Sequence, residues 1–249
     1  MSRKIERWIA TADNHGNHAH EPTCSVLFDF IKHFKPTMRI HLGDGYNFAK
    51  LRKGATPQER QEALQPDVDA GNHFNERLKP NVYLCGNHCF RIFQLAKSTD
   101  EGDRALATKT IDSMHESIGN GRLIEYGKET GFFRYGDYTF THGFASGDGA
   151  SRLMANVFGN VIFGHNHFCD DQPVARFDHE TGEHRARGIC AGCTCHTSQD
   201  YNLGQLKTLR QENAFVYGFK VGNRLIPYSA RAIEGRWFFP SEFREVIPA

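Results

Sequence analysis

The sequence predicts a layered α/β fold, and three observations carry that prediction. Short apolar, β-branched runs recur at 7–12, 38–42, 82–85, 138–141 and 161–163. Segments with helical character separate them, at 25–34, 57–78, 102–118 and 151–158. Strands alternating with helices build sheets covered by helices. The chain is also the right size: 249 residues, 39% hydrophobic and 24% charged, suit one soluble α/β domain. The expectation is a single domain over 1–249, with helical inserts near 48–80 and 100–125.

Each run leads into a short polar motif. The run at 7–12 ends at Asp13-Asn14-His15 and the run at 38–42 at Gly43-Asp44. The helical segment at 57–78 opens on Pro57-Gln58-Glu59-Arg60, where Pro is pre-set for a first turn. The run at 82–85 ends at Gly86-Asn87-His88, that at 138–141 at His142-Gly143, and that at 161–163 at Gly164-His165-Asn166-His167. The stretch 130–135 reads as a core strand with partly exposed aromatics. Strand signals at 187–191, 214–221 and 224–228 are expected to extend or flank the sheets.

Composition narrows the function. A formal net charge of +1 argues against a protein that grips long duplex DNA, which needs a basic excess to displace counterions. The apolar stretch Trp8-Ile9-Ala10 is too short for a signal peptide, and no run has the length of a membrane span. Seven cysteines, an odd number without an export signal, are expected to be reduced thiols in a cytoplasmic protein.

The motifs supply two carboxylates (Asp13, Asp44), one carboxamide (Asn87) and four imidazoles (His15, His142, His165, His167), with a fifth imidazole at His88. That set can hold two divalent cations and leave one group for acid chemistry. In layered α/β folds ligands gather on loops at the carboxyl ends of strands, so motifs more than 150 residues apart can converge there. Glycines at 43, 86, 143 and 164 free the backbone for sharp turns. Mixed nitrogen and oxygen donors suit manganese foremost, with iron, zinc or nickel as alternatives, better than calcium.

The ordered set Asp-x-His, Gly-Asp, Gly-Asn-His, His, Gly-His-x-His resembles the calcineurin-like metallophosphoesterases over roughly residues 5 to 170. The Gly-Asn-His-x-x-Arg pattern and the 48–80 insert resemble the phage and bacterial members. The resemblance implies a four-layer αββα sandwich with a binuclear centre. Asp13, His15 and His167 would hold one ion, Asn87, His142 and His165 the other, and Asp44 would bridge them. It also implies in-line attack by a bridging hydroxide on a phosphate mono- or diester, with His88 protonating the leaving group. A phosphorylated small molecule such as a nucleotide, or a nucleic-acid end, is the expected substrate. The rival expectation is a non-catalytic scaffold binding a partner protein, although such a protein would be expected to have lost ligands.

The chain departs from the family pattern at two places. Cys89 stands where many members carry an acidic residue, and Asn47 where many carry Asp; Cys89 leaves open what orients His88. The loop Gly43-Asp44-Gly45-Tyr46-Asn47-Phe48-Ala49 lacks the Arg of the protein Ser/Thr phosphatases. Arg91 is a candidate phosphate contact. His18 and His20 read as solvated loop residues, and Lys50-Leu51-Arg52-Lys53 as a solvated helix face. Cys190, Cys193 and Cys195 read as buried thiols near the active centre, since a structural zinc site needs two such pairs.

Overall fold

Side chains along the first strand alternate between two buried faces: Trp8, Ala10 and Ala12 join one cluster and Ile9 another, as a pleated strand requires when both faces are covered. The computed structural model describes residues 4–178, 182–197 and 210–239. In chain order the elements are β1 (Ile5–Thr11), α1 (Glu21–Phe34), β2 (Met38–His41), α2 (Pro57–Gln61), α3 (Leu64–Leu78), β3 (Val82–Leu84), α4 (Phe90–Leu95), α5 (Glu101–Ile118), β4 (Arg122–Ile124), β5 (Phe132–Tyr135), β6 (Tyr138–Thr141), α6 (Ala150–Phe158), β7 (Val161–Phe163), β8 (Cys169–Asp178), β9 (Gly182–Ala191), β10 (Ala214–Val221), β11 (Arg224–Ile233) and β12 (Arg236–Phe238).

The strands form two sheets, ordered β12-β11-β10-β1-β2-β3-β4 and β5-β6-β7-β9-β8. In the first, β1 to β4 run parallel and β10 pairs antiparallel with β1. In the second, β6, β7 and β9 run parallel, with β5 and β8 antiparallel at its edges. The inner faces meet in one core: Trp8, Ala10, Ile40, Val82 and Leu84 pack against Phe140, Ile162 and Ile189. Trp8 and Phe140 lie edge to face across it, centroids 5.6 Å apart.

Helices cover both outer faces. Leu27, Phe30, Ile31 and Phe34 of α1, with Phe74 and Leu78 of α3, pack on Ile9, Phe215 and Tyr217. Ala107, Met114 and Ile118 of α5 and Ile92 of α4 cover Tyr83. Ala150, Met154 and Ala155 of α6 cover Val161, Phe163 and Cys190 of the second sheet. This is the four-layer αββα order. The strands expected at 214–221 and 224–228 extend the first sheet, whereas 187–191 falls within β9 inside the second.

The segment 57–78 is two helices rather than one. Thr56 and Glu59 form a reciprocal capping box at the start of α2, as Pro57 foretold. Pro66 then sits in the first turn of α3, where a missing N–H costs nothing. In a continuous helix it would remove a hydrogen bond and clash with the carbonyl four residues before it.

Candidate metal centre

Five strand ends of the two sheets deliver the motifs to one place, and the backbone is strained where they arrive. Asp13, His15, Asp44, His165 and His167 all have positive φ, between 50° and 75°. For non-glycine residues this conformation is costly and tends to cluster at functional sites. Backbone hydrogen bonds hold the first two loops together: Asp13 N–H donates to Gly43 O (3.0 Å) and His15 N–H to Asp44 O (2.9 Å). The carboxylates join the others, since Asp44 Oδ1 accepts the His88 N–H (2.8 Å) and Asp13 Oδ2 the His165 N–H (2.9 Å). Gly86 permits this closeness: a Cβ there would lie 2.0 Å from Asp44 Oδ1.

All seven predicted ligands converge. His15 Nε2 lies 3.0 Å from His167 Nε2, and Asp13 Oδ1 lies 3.8 Å from the first of these nitrogens and 3.5 Å from the second. Asp44, grouped with His15, has its Oδ2 3.2 Å from His142 Nε2. Asn87 Oδ1 is 3.1 Å from the same nitrogen and 2.9 Å from His165 Nδ1. Asp44 belongs to two groups whose donor atoms lie within 4.8 Å of one another, one with His142 and His165, the other with His15 and His88.

These residues fit a pair of divalent cations. Asp13 Oδ1 and His15 Nδ1 are buried without hydrogen-bond partners, and native proteins rarely leave such groups unsatisfied. Two imidazole nitrogens facing at 3.0 Å need a proton or a cation between them. Burial pushes His15 well down, and His165 down to about 4 with the His142 charge adding to it. Both are then neutral, the form in which imidazole binds metal. Burial opposes protonation of His167 too, but the adjoining Asp13 carboxylate carries it up to about 9. His142 is likewise raised by Asp44 against burial. Its Nδ1 donates to Leu42 O at 3.0 Å, so Nε2 is the atom offered to the centre.

His88 stands beside this cluster, its ring 4.6 Å from that of His15. Its Nδ1 faces the Asn47 backbone carbonyl (3.1 Å) and side-chain Oδ1 (2.9 Å). Both are acceptors, so Nδ1 carries the proton. Asn47 therefore does the orienting; Cys89 faces away, its sulfur 3.3 Å from the Tyr83 hydroxyl. Burial lowers His88 to about 4, with Asp44 pulling against it.

Asn47 is held in turn by Asp67 on α3, a buried carboxylate absent from the sequence reading. It accepts the Asn47 N–H (3.0 and 3.2 Å) and the Phe48 N–H (2.7 Å). Asp67→Ala would orphan both donors at about 1–3 kcal/mol each. A loss of about 3 kcal/mol in urea unfolding is expected, and a loss within 0.5 kcal/mol, the ~0.5 kcal/mol range of ordinary surface substitutions, would refute the role.

The other sequence candidates separate clearly. Arg91 does not line the cavity: α4 turns it toward the 47–48 loop, where Nη1 donates to Asn47 O (2.8 Å) and Phe48 O (3.3 Å). It braces the loop that orients His88. His20 bonds Thr23 Oγ1 at 2.8 Å, and neither it nor His18 belongs to a ligand group. Arg52 pairs with Glu59 on the surface. His41 also escaped notice: it sits buried on β2, its Nε2 2.8 Å from Asn14 Oδ1, while Asn14 Nδ2 donates to Gly45 O at 2.9 Å. Its signal was present only as a histidine inside an apolar run.

A cavity of about 480 Å³ opens over the cluster. Beyond the ligands its wall includes Ser146, Asp148, Phe168 and Arg210. Arg210 is the one Lys or Arg among the described lining residues. Its guanidinium lies 4.6 Å from the Phe168 ring centre and pairs with Asp148. No motif marks Arg210 in the sequence, because it reaches the site by folding alone.

No family model and no curated protein matches the chain. Among solved structures it is similar to a metallophosphoesterase from Sphaerobacter thermophilus, at 14% identity over 91% of this chain and 88% of that one (TM-score 0.45). It is also similar to Vacuolar Protein Sorting 29 from Cryptosporidium parvum, at 11% identity over 94% and 95% (TM-score 0.46). A third is the phosphoesterase Yfce from E. coli, at 15% identity over 90% and 97% (TM-score 0.38).

Proposed function

We infer that this chain, with its αββα sandwich and ordered ligand motifs, is a calcineurin-like metallophosphoesterase that hydrolyses phosphate mono- or diesters. One observation carries the reading: seven ligand-type side chains from five strand ends meet in one cluster that leaves the buried Asp13 Oδ1 without a hydrogen-bond partner. Asp13, His15 and His167 would hold one ion, Asn87, His142 and His165 the other, with Asp44 between. Manganese is the favoured ion. Two such cations supply the Lewis acidity that activates water and neutralises phosphate charge.

The chain's own residues supply the rest. Asn47 holds the Nδ1 proton of His88, so Nε2 is the atom that delivers a proton to the leaving oxygen. An anionic ester in the cavity favours that second proton. Arg210, on the cavity wall, is placed to meet a phosphate or the rest of the substrate. The limited cavity and the near-neutral net charge favour a nucleotide or a nucleic-acid end over a long duplex. A cytoplasmic setting is supported by seven cysteines of which none is in a disulfide. Among the described residues, no helix is long and apolar enough to cross a membrane.

The test uses metal-stripped protein with manganese restored, comparing bis(p-nitrophenyl) phosphate with p-nitrophenyl phosphate. Turnover of either that depends on the metal supports the reading, and the ratio assigns diesterase or monoesterase. Failure to bind any divalent metal would refute it. Arg210→Ala is expected to raise KM about 10-fold with kcat little changed, the sign of lost ground-state binding through a half-exposed charge. An unchanged KM would remove Arg210 from substrate binding.

A further inference from the structure

Residues 193–196, directly after β9, form a strap between the two loops that carry Asp13 and His167. Thr194 N–H donates to Ala12 O (3.1 Å), and its Oγ1 donates to the same carbonyl (3.1 Å). His20 N–H donates to Thr194 O (2.9 Å) and His196 N–H to His18 O (3.0 Å). On the other side Asn213 Nδ2 donates to Cys195 O (2.8 Å), while the Glu212 N–H donates to His167 O (2.8 Å). Gly192 allows the strap to pass close to β10, since a Cβ there would lie 2.6 Å from Ala214 Cβ.

The strap places a fully buried sulfur behind a metal-ligand histidine. Cys195 Sγ lies 3.8 Å from His167 Nδ1, at the long end of hydrogen bonds to sulfur. The opposite ring nitrogen, Nε2, is the one that faces His15 and Asp13. A histidine that binds metal through Nε2 must keep its proton on Nδ1, and that proton needs an acceptor. The usual acceptors are a carboxylate, a carbonyl or water. Cys195 also shares a ligand-type group with His15 and His167, all three buried.

Building on the metallophosphoesterase reading, we propose that Cys195 is the positioning residue of the His167 ion. Its sulfur accepts the Nδ1 proton, fixes the ring's tautomer and angle, and so sets the affinity of that one position. A sulfur is a weak acceptor, so this position is held less firmly than one backed by a carboxylate. Cys193, whose sulfur faces Cys195 O (3.9 Å) and Glu212 O (3.6 Å), supports the strap.

The test titrates metal-stripped full-length protein with Mn²⁺ and Co²⁺ by calorimetry and records the cobalt spectrum. Wild type is expected to take up two ions. Cys195→Ala should weaken one of them about 10–100-fold and leave the other unchanged. Cys195→Ser, which restores an acceptor, should recover most of the loss. Equal affinities in wild type and Cys195→Ala would overturn the proposal. So would a sulfur-to-cobalt charge-transfer band that vanishes in Cys195→Ser, because Cys195 would then bind the ion directly. If the alanine variant fails to fold by circular dichroism, the serine variant and the wild-type spectrum still decide. A wild type that binds no ion would instead bring down the metal centre itself.

Discussion

Asp44→Asn is expected to abolish turnover while leaving the fold intact. Asparagine keeps the size of the side chain and can still accept the His88 N–H through Oδ1, now 2.8 Å from Asp44. What disappears is the one carboxylate shared between the ligand groups on either side, 3.2 Å from His142 Nε2. If Asp44 ties two ions together, the loss of several kcal/mol of charge stabilisation lowers kcat on the order of 10³-fold. Metal content by mass spectrometry should fall in parallel. The rise in melting temperature expected for wild type with manganese, through preferential binding to the folded chain, should shrink. Near wild-type turnover in this variant would refute the bridging role, whatever its metal content.

His88→Ala is expected to separate chemistry from metal binding. The ring touches the cluster only at its edge, its Nδ1 spent on Asn47. Metal uptake should therefore survive, while turnover of an ester with a poor, alkyl leaving group falls about 10²–10⁴-fold. The loss should be much smaller for p-nitrophenolate, which departs without a proton. Equal losses for both leaving groups would point to positioning or charge stabilisation. Retained turnover with the alkyl ester would end the role of His88 altogether.

These two residues also mark how far sequence reading reaches. Asp44 was legible because a ligand motif is local: Gly43 and Asp44 are adjacent, and the apolar run before them marks a strand end. The same holds for the pairs Asp13/His15 and His165/His167, whose members are two residues apart on one turn. The orientation of His88 was not legible, because its partners come from a loop 41 positions earlier in the chain and that loop is held by Asp67 on α3. What Arg91 touches was not legible for a related reason. Three residues after His88 is one turn of α4, and that turn points inward to the Asn47 and Phe48 carbonyls. Arg210 lay beyond reach as well, since it sits in no motif, and Cys195 was legible only as a buried thiol near the active centre, not as the partner of His167.

The alternation of strands and helices, the five strand-end motifs and the chemical kind of donor each carries are all written in the linear chain. Those depend on neighbours a few residues apart, where backbone propensity and polarity act directly. Tertiary structure alone decided which donors share a cluster, which nitrogen of each imidazole faces it, and what stands behind His88 and His167. It also decided that the cavity's arginine is Arg210. Such choices arise from hydrogen bonds across the sheets and loops, such as those joining Asp13 to His165 and Thr194 to Ala12. Chain spacing carries no record of them, because their geometry is set only when two sheets pack and bring their strand ends to one edge.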